Sequence, residues 1–283
     1  MSEERRHTDK LSKLAIKVVQ HHQVCKCGVE YVATLLAGMD FSAGKCPICR
    51  SKHRAEMEAK EKTAQIAAIA ARRREYREES GIPSKFMNSD FSNFDSKCPG
   101  NIGKVVKICW EYAEKFPIAS RPKYSSILLL GANGLGKSHL AAAIGHRVLD
   151  RWQGDPDRNM IKFISEPDLL ASIQATYNFS FEEKKIRPCE DDILNECITV
   201  PLLILDDVGK EQRRDMAFVQ RILFRLIDGR YKTDRPMLLT TNKAAGELED
   251  YLSAGTEDKA SFSRLLEMCQ GKFLKLTGED YRR

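Results

Sequence analysis

The chain has 283 residues, 30% of them charged and 42% hydrophobic, with a formal net charge of +6. That length holds one large core or two modest ones, and no run of about eighteen apolar residues is present to span a membrane. The mixed-charge start MSEERRHTDKLSKL has no apolar secretory core, so the expected compartment is the cytoplasm.

The charge is uneven. Residues 1–80 carry 16 Lys and Arg against 11 Asp and Glu, and the remaining residues carry 30 against 29. A solvated surface accounts for this excess as well as an acidic partner does. Within residues 1–24, Leu11, Leu14, Ala15, Val18 and Val19 recur at helical spacing, which predicts an amphipathic helix.

Next come CKCG (Cys25, Cys27) and CPIC (Cys46, Cys49), with eighteen residues between the pairs. In a cytosolic chain such pairs read as a zinc site rather than as disulfides. Four thiolates leave no open coordination position, so the expected Zn²⁺ is structural. Cys-x-Cys is tighter than the usual Cys-x₂-Cys, which leaves His22 or His53 as substitutes for one thiolate. The scattered Cys98, Cys109, Cys189, Cys197 and Cys269 read as small buried hydrophobes.

Residues 50–80 are rich in Ala, Glu, Lys and Arg without Gly or Pro, and predict a long helix ending at Gly81 and Pro83. Its apolar stripe (Ile66, Ile69, Ala70) is thin, so the helix is expected to be exposed or docked on a partner. After SKFMNSDFSNFD, a helical stretch near 105–116 bridges to the remainder. From Ser125 onward, apolar runs at 127–130, 161–164, 202–205, 237–240 and 273–276 read as strands. Helices are expected near 138–152, 167–177, 212–231 and 257–269. Apolar strands alternating with helices imply an α/β fold with a five-stranded parallel sheet covered on both faces.

GANGLGKS, between the first of these strands and its helix, matches the P-loop pattern. Gly131, Ala132, Asn133, Gly134, Leu135, Gly136, Lys137, Ser138 and His139 are the expected nucleotide-binding residues. Glycines let backbone N–H groups face phosphates at a helix N-terminus. Lys137 would reach the β- and γ-phosphates of ATP, and Ser138 would offer its hydroxyl to Mg²⁺. PLLILDDVG then ends a strand on Asp206 and Asp207: the first suits the Mg²⁺ shell, the second an attacking water. Glu is commoner at the second position, so Asp207 has a shorter reach. Asn242, in MLLTTN, sits at the tip of the next strand, where an amide can bond that water or the γ-phosphate. A turn residue or a helix cap is the ordinary role of such side chains; their succession after a P-loop favours the catalytic one.

This set resembles the AAA+ ATPases. The resemblance implies that Arg264, in SFSRLLEMC, is an arginine finger reaching a neighbouring subunit's γ-phosphate, hence self-association. SGIPSKF with FSNFD, LIDGRYKTDRPMLLTTN and the ending LKLTGEDYRR are similar to DnaC/DnaI-type replicative helicase loaders, bacterial or phage-encoded, over about 82–283. The transposition helper IstB shares that ATPase core. In these loaders the chain ends without a C-terminal lid domain, which makes Arg282 (or Arg283) the expected sensor-2 arginine. A second arginine common one turn before the finger is replaced here by Ala260, beside Lys259. The resemblance also implies single-stranded DNA binding, for which Tyr177 and Phe179 are the candidate stacking platform; a packed helix end explains those two rings equally well.

A zinc-bearing N-terminal domain that holds a hexameric helicase occurs in DnaI-type loaders, and this favours the loader reading over IstB. The expected organisation is a helicase-docking zinc domain over 1–80, a linker with a bridging helix over 81–123, and an AAA+ ATPase domain over 124–283. The expected function is an ATP-dependent loader that binds a replicative hexameric helicase and single-stranded DNA and deposits the helicase on DNA. The alternative is an IstB-like helper acting on duplex DNA.

Overall fold

The computed structural model of the chain describes residues 18–36, 46–94, 100–154, 159–180, 182–210, 215–253 and 259–280. Its contacts divide into two units, residues 1–68 and 69–283. In the first, β1 (Val18–Val24) and β2 (Glu30–Leu36) form an antiparallel hairpin with Val18 opposite Leu36 and Val24 opposite Glu30. This corrects the helix expected across 1–24 for its last seven residues; residues 1–17 lie outside those described. Val18, Val19 and Val24 are β-branched and favour an extended backbone. A tight turn closes the pair, with Gly28 N donating to Cys25 O at 2.8 Å and Cys25 N to Val29 O at 2.9 Å. Long-range strand pairing therefore overrides the helical spacing.

Helix α1 (Pro47–Glu79) starts on a proline, whose missing N–H costs nothing at a first helical position. It runs 33 residues and buries only Tyr76. Its last turns, from Ile69 on, belong to the second unit and pack within it. The Tyr76 ring meets Trp152 edge-to-face at 5.1 Å, Arg73 Nε donates to Trp152 O at 2.7 Å, and Asn159 Nδ2 donates to Tyr76 O at 2.6 Å. Of the thin stripe only Ile69 packs, and Ile66 and Ala70 are exposed like most of the helix before them.

The second unit continues with α2 (Ile102–Lys115), β3 (Ile127–Leu130), α3 (Lys137–Arg151), β4 (Ile161–Ser165), α4 (Glu166–Tyr177), α5 (Glu183–Ile186) and α6 (Glu190–Thr199). β5 (Leu202–Val208), α7 (Met216–Lys232), β6 (Met237–Thr241), α8 (Ala245–Ser253), α9 (Ala260–Cys269) and β7 (Phe273–Lys275) complete it. The five strands lie in the order β4-β5-β6-β3-β7, every neighbouring pair parallel. Alternate strand residues feed two cores. Leu128, Leu203, Leu205 and Leu239 meet α4, α6, α7, α8 and α9 on one face. Ile127, Leu129, Ile204 and Leu238 meet α2 and α3 on the other. Such double burial requires near-continuous apolar strands, which is why all five were legible in the sequence. The short helices α5, α6 and α8 were not expected.

The segment after α1 covers the edge strand β4, with Phe163 N donating to Ser80 O at 2.6 Å. Gly81 makes this approach at φ +77°, and a Cβ there would lie 2.3 Å from Phe163 O.

Candidate nucleotide site and cysteine cluster

The chain leaves β3 through Gly131 and enters α3 at Lys137, with Gly136 as N-cap at φ +80°, a left-handed conformation that suits glycine. Lys137 is buried, and its Nζ donates back across the loop to Gly131 O at 2.8 Å and Ala132 O at 2.7 Å. Ala132 and Asn133 are exposed at the loop tip, whereas Gly134 and Leu135 are buried. The SKFMNSDFSNF segment wraps the first turn of α3: His139 meets Phe94 edge-to-face at 4.8 Å and Phe86 at 6.4 Å. The carboxylate of Asp280 lies against Gly134, where an added Cβ would meet its Oδ1 at 1.7 Å.

Asp206 and Asp207 stand at the end of β5 in a β-bulge. Leu205 pairs with Leu239 and Val208 with Thr241, so the two aspartates together face Thr240. Asp207 takes φ +57°, a region aspartate enters more readily than most residues. The Asp206 carboxyl is buried, and that burial pushes its pKa up; hydrogen bonds from Thr240 and Ser138 oppose the shift, Asp207 adds to it, and Lys85 opposes it. Ser138 and Asp206, the two expected Mg²⁺ ligands, are therefore already in contact. Asp207 Oδ2 lies 3.3 Å from Lys210 Nζ. Both aspartates line one cleft, together with Lys85, Ser165 and Asp168.

Asn242 follows β6 directly. Its Oδ1 is buried and finds no hydrogen-bond partner among the described residues. Gly131 N donates to Thr241 O at 3.3 Å, tying the P-loop to the strand that carries Asn242.

Two further groups escaped the sequence reading. Thr240 is wholly buried and bonds both aspartates, accepting from Asp207 N at 2.9 Å and donating to Asp206 Oδ1 at 2.6 Å. Its only signal was a Thr-Thr pair ending an otherwise apolar central strand. Glu166 is also wholly buried; Gly209 N donates to its Oε2 at 2.7 Å and Tyr251 Oη to its Oε1 at 2.8 Å. It ties the loop after the aspartates to α8, and local sequence gave no sign of it.

The remaining expectations fall elsewhere. Arg264 lies on α9 against α7, its Nε 3.4 Å from Asp228 Oδ1 and its guanidinium 5.2 Å from the Phe224 ring centre and 5.8 Å from that of Tyr231. Tyr177 is half exposed, but its hydroxyl donates to Glu190 and accepts from Arg221 Nη2 at 2.9 Å. Arg187 covers the Phe179 ring at 5.1 Å. Arg282 and Arg283 lie outside the described residues.

In the first unit the Sγ atoms of Cys25, Cys27, Cys46 and Cys49 all lie within 4.8 Å of one another. Cys25 and Cys49 are 3.8 Å apart and Cys27 and Cys46 3.5 Å. A tetrahedron of thiolates around a zinc ion has edges of about 3.8 Å, from a Zn–S bond of about 2.3 Å. Backbone N–H groups point at two of the sulfurs, Cys46 N at Cys25 and Cys49 N at Cys46. Hydrogen bonds from Cys27 and Cys46 lower the Cys25 thiol to about 6, and hydrogen bonds with the same neighbours raise Cys49 to about 12, so without a metal the sulfurs share protons rather than ionise together. The donor set fits a closed tetrahedral metal site. His22 and His53 are not part of the cluster.

The sequence profile of the family described as "IstB-like ATP binding protein" matches residues 121–283. The replicative helicase loader DnaC of Escherichia coli K12 is 26% identical over 180 residues, covering 64% of this chain and 66% of the relative. DnaC of Buchnera aphidicola from Baizongia pistaciae is 29% identical over 148 residues, covering 52% and 54%. The chain thus spans just under two thirds of the first relative's length, and less of the second's. Among solved structures, that of the DnaC helicase loader superposes with a TM-score of 0.53 at 17% identity, over 69% of this chain and all of the other. That of DnaI gives 0.50 at 20% identity, over 69% and 95%. The fold is the AAA+ P-loop fold, and this likeness speaks to the fold alone.

Proposed function

Since the chain belongs to the IstB-like ATP-binding protein family, we propose that it is an ATP-dependent loader that places a replicative hexameric helicase on DNA. The observation that carries the ATPase half is the bulge in β5, which sets Asp206 beside Ser138 and turns Asp207 into the same cleft. The names of its relatives support the loader half.

In this reading the backbone of residues 131–137 and the Lys137 ammonium hold the triphosphate of ATP, with Lys137 exchanging its two carbonyl partners for phosphate oxygens. Ser138 and Asp206 would hold Mg²⁺, which would supply charge neutralisation to the phosphates when bound. Asp207 accepts a proton from the attacking water, and Asn242 Oδ1 accepts a second hydrogen bond from it, orienting its lone pair toward the γ-phosphate. Arg264 of one subunit completes the site of the next. To do so it must leave Asp228, so assembly and hydrolysis are coupled. ATP binding then serves as an assembly switch with slow turnover, and hydrolysis releases the helicase.

Zn²⁺ bound by the four cysteines would be structural, holding the hairpin to the start of α1. Residues 1–80 would dock the helicase, 81–123 would link, and 124–283 would form the ATPase. Single-stranded DNA would lie along the ATPase near Tyr177 and Phe179. A second reading, suggested by the IstB likeness of the family, is a transposition helper on duplex DNA. It differs in predicting no helicase contact.

The test is magnesium-dependent ATP hydrolysis by the full chain, with and without single-stranded DNA, together with co-purification of a replicative hexameric helicase. DNA-stimulated turnover that Lys137→Ala abolishes, and helicase retention that Cys46→Ser abolishes, are expected. Turnover without helicase retention would move the assignment to the second reading; turnover unchanged by Lys137→Ala would remove both.

A further inference from the structure

We propose that Thr240 is a positioning residue that sets both aspartates at once, Asp206 for the metal and Asp207 for the attacking water. The proposal rests on the ATPase reading above.

In a regular strand consecutive side chains point to opposite faces, so neighbouring aspartates would diverge. Here two residues of β5 oppose one of β6, with Leu205 facing Leu239 and Val208 facing Thr241. A bulge of this kind re-aims side chains next to active sites, and both carboxylates line one cleft. Such a bulge leaves one backbone amide without its ladder partner. That amide is Asp207 N, and the Thr240 hydroxyl accepts it at 2.9 Å.

A hydroxyl has one proton and two lone pairs. With a lone pair engaged by the Asp207 amide, the proton goes to Asp206 Oδ1 at 2.6 Å. One buried oxygen therefore fixes the backbone of the second aspartate and the carboxylate of the first. The amide bond holds Asp207 at φ +57°, which sets how far a side chain one methylene shorter than glutamate extends into the cleft. Asp206 also has a hydrogen bond with Ser138, so the Thr240 hydroxyl fixes one oxygen of a carboxylate that would hold Mg²⁺ together with Ser138. The neighbouring Thr241 serves the other side of the bulge, its Oγ1 donating to Val208 O at 2.7 Å. It bonds neither aspartate among the interactions described.

Thr240→Val keeps the shape and removes the hydroxyl; Thr240→Ser keeps the hydroxyl. The full chain and both variants are compared by affinity for a fluorescent ATP analogue in EDTA and in magnesium, and by steady-state hydrolysis. Affinity in EDTA should stay the same in all three, since the described hydrogen bonds of the Thr240 hydroxyl go to the two aspartates and not to the P-loop. Thr240→Val should lose the tightening that magnesium gives and fall roughly 10- to 100-fold in kcat, the usual effect of removing an outer-shell partner of a metal ligand. Thr240→Ser should restore both.

A Thr240→Val variant with intact magnesium tightening and kcat would overturn the proposal. So would equal weakening in EDTA and in magnesium, which marks a general structural defect, or a Thr240→Ser variant as impaired as Thr240→Val, which marks a role for the methyl group. Wild type with no magnesium-dependent hydrolysis would overturn the ATPase reading and this proposal with it.

Discussion

Glu190 shows how a single side chain can change the meaning of its neighbours. Its carboxylate takes Arg221 Nη1 and Arg225 Nη1, both at 2.5 Å, and the Tyr177 hydroxyl besides. The arginine bonds, Arg221 first, hold its carboxyl down to about 2, against 4.5 for a free one. A carboxyl with a lowered folded pKa adds stability above its unfolded value, and loses it as pH falls through 4.5 toward 2. Glu190→Gln should therefore melt below wild type at pH 7, and the gap should close across that acid window; a gap independent of pH would show that the ion pairs contribute nothing. Tyr177 is consequently a tethered ring rather than a freely presented one, so a base stacking on it meets a pre-oriented surface. Sequence alone could not separate those cases, because the tether comes from α6 and α7, 13 and 44 residues away. Thr240 and Glu166 were hidden for the same reason: their partners sit on other strands and helices. Lys137, Asp206 and Asn242 stand out as candidates in the sequence because each ends or follows an apolar strand in the order a phosphate site requires.

Elements were legible where burial is two-sided and misread where it is not. The five parallel strands carry apolar residues at nearly every position and fell within one to three residues of their expected ends. The hairpin strands read differently: β1 is VVQHHQV, and its valines also fit a helical stripe, so only pairing with β2 decides. α1 was recognised from composition, but the docking of its last turns depends on Trp152 and Asn159, far away in sequence. Gly81 is the tightest point of that docking. Gly81→Ala would force a Cβ to 2.3 Å from Phe163 O at a φ that non-glycine residues resist, a strain of roughly 1–3 kcal/mol. We expect the melting temperature to fall by several degrees, about 2–4 °C for each kcal/mol in a unit of this size. An unchanged melt would mean that this segment does not cover β4.

The whole molecule divides its tasks between a cysteine-clustered hairpin unit and an α/β unit, residues 1–68 and 69–283. Among the described residues no helix is long and apolar enough to cross a membrane. Arg264 lies beside Asp228 within its own chain; in the proposed trans role it would have to change partners, and hydrolysis would then depend on assembly. This account makes the nucleotide site a timer for a partner rather than a source of continuous turnover. The most direct measurement is retention of a replicative hexameric helicase on circular single-stranded DNA, scored after the full chain has been added with ATP and magnesium. The account predicts retention that requires the chain and is lost with Lys137→Ala. Helicase retained equally well without the chain, or with the Lys137→Ala variant in its place, would contradict it.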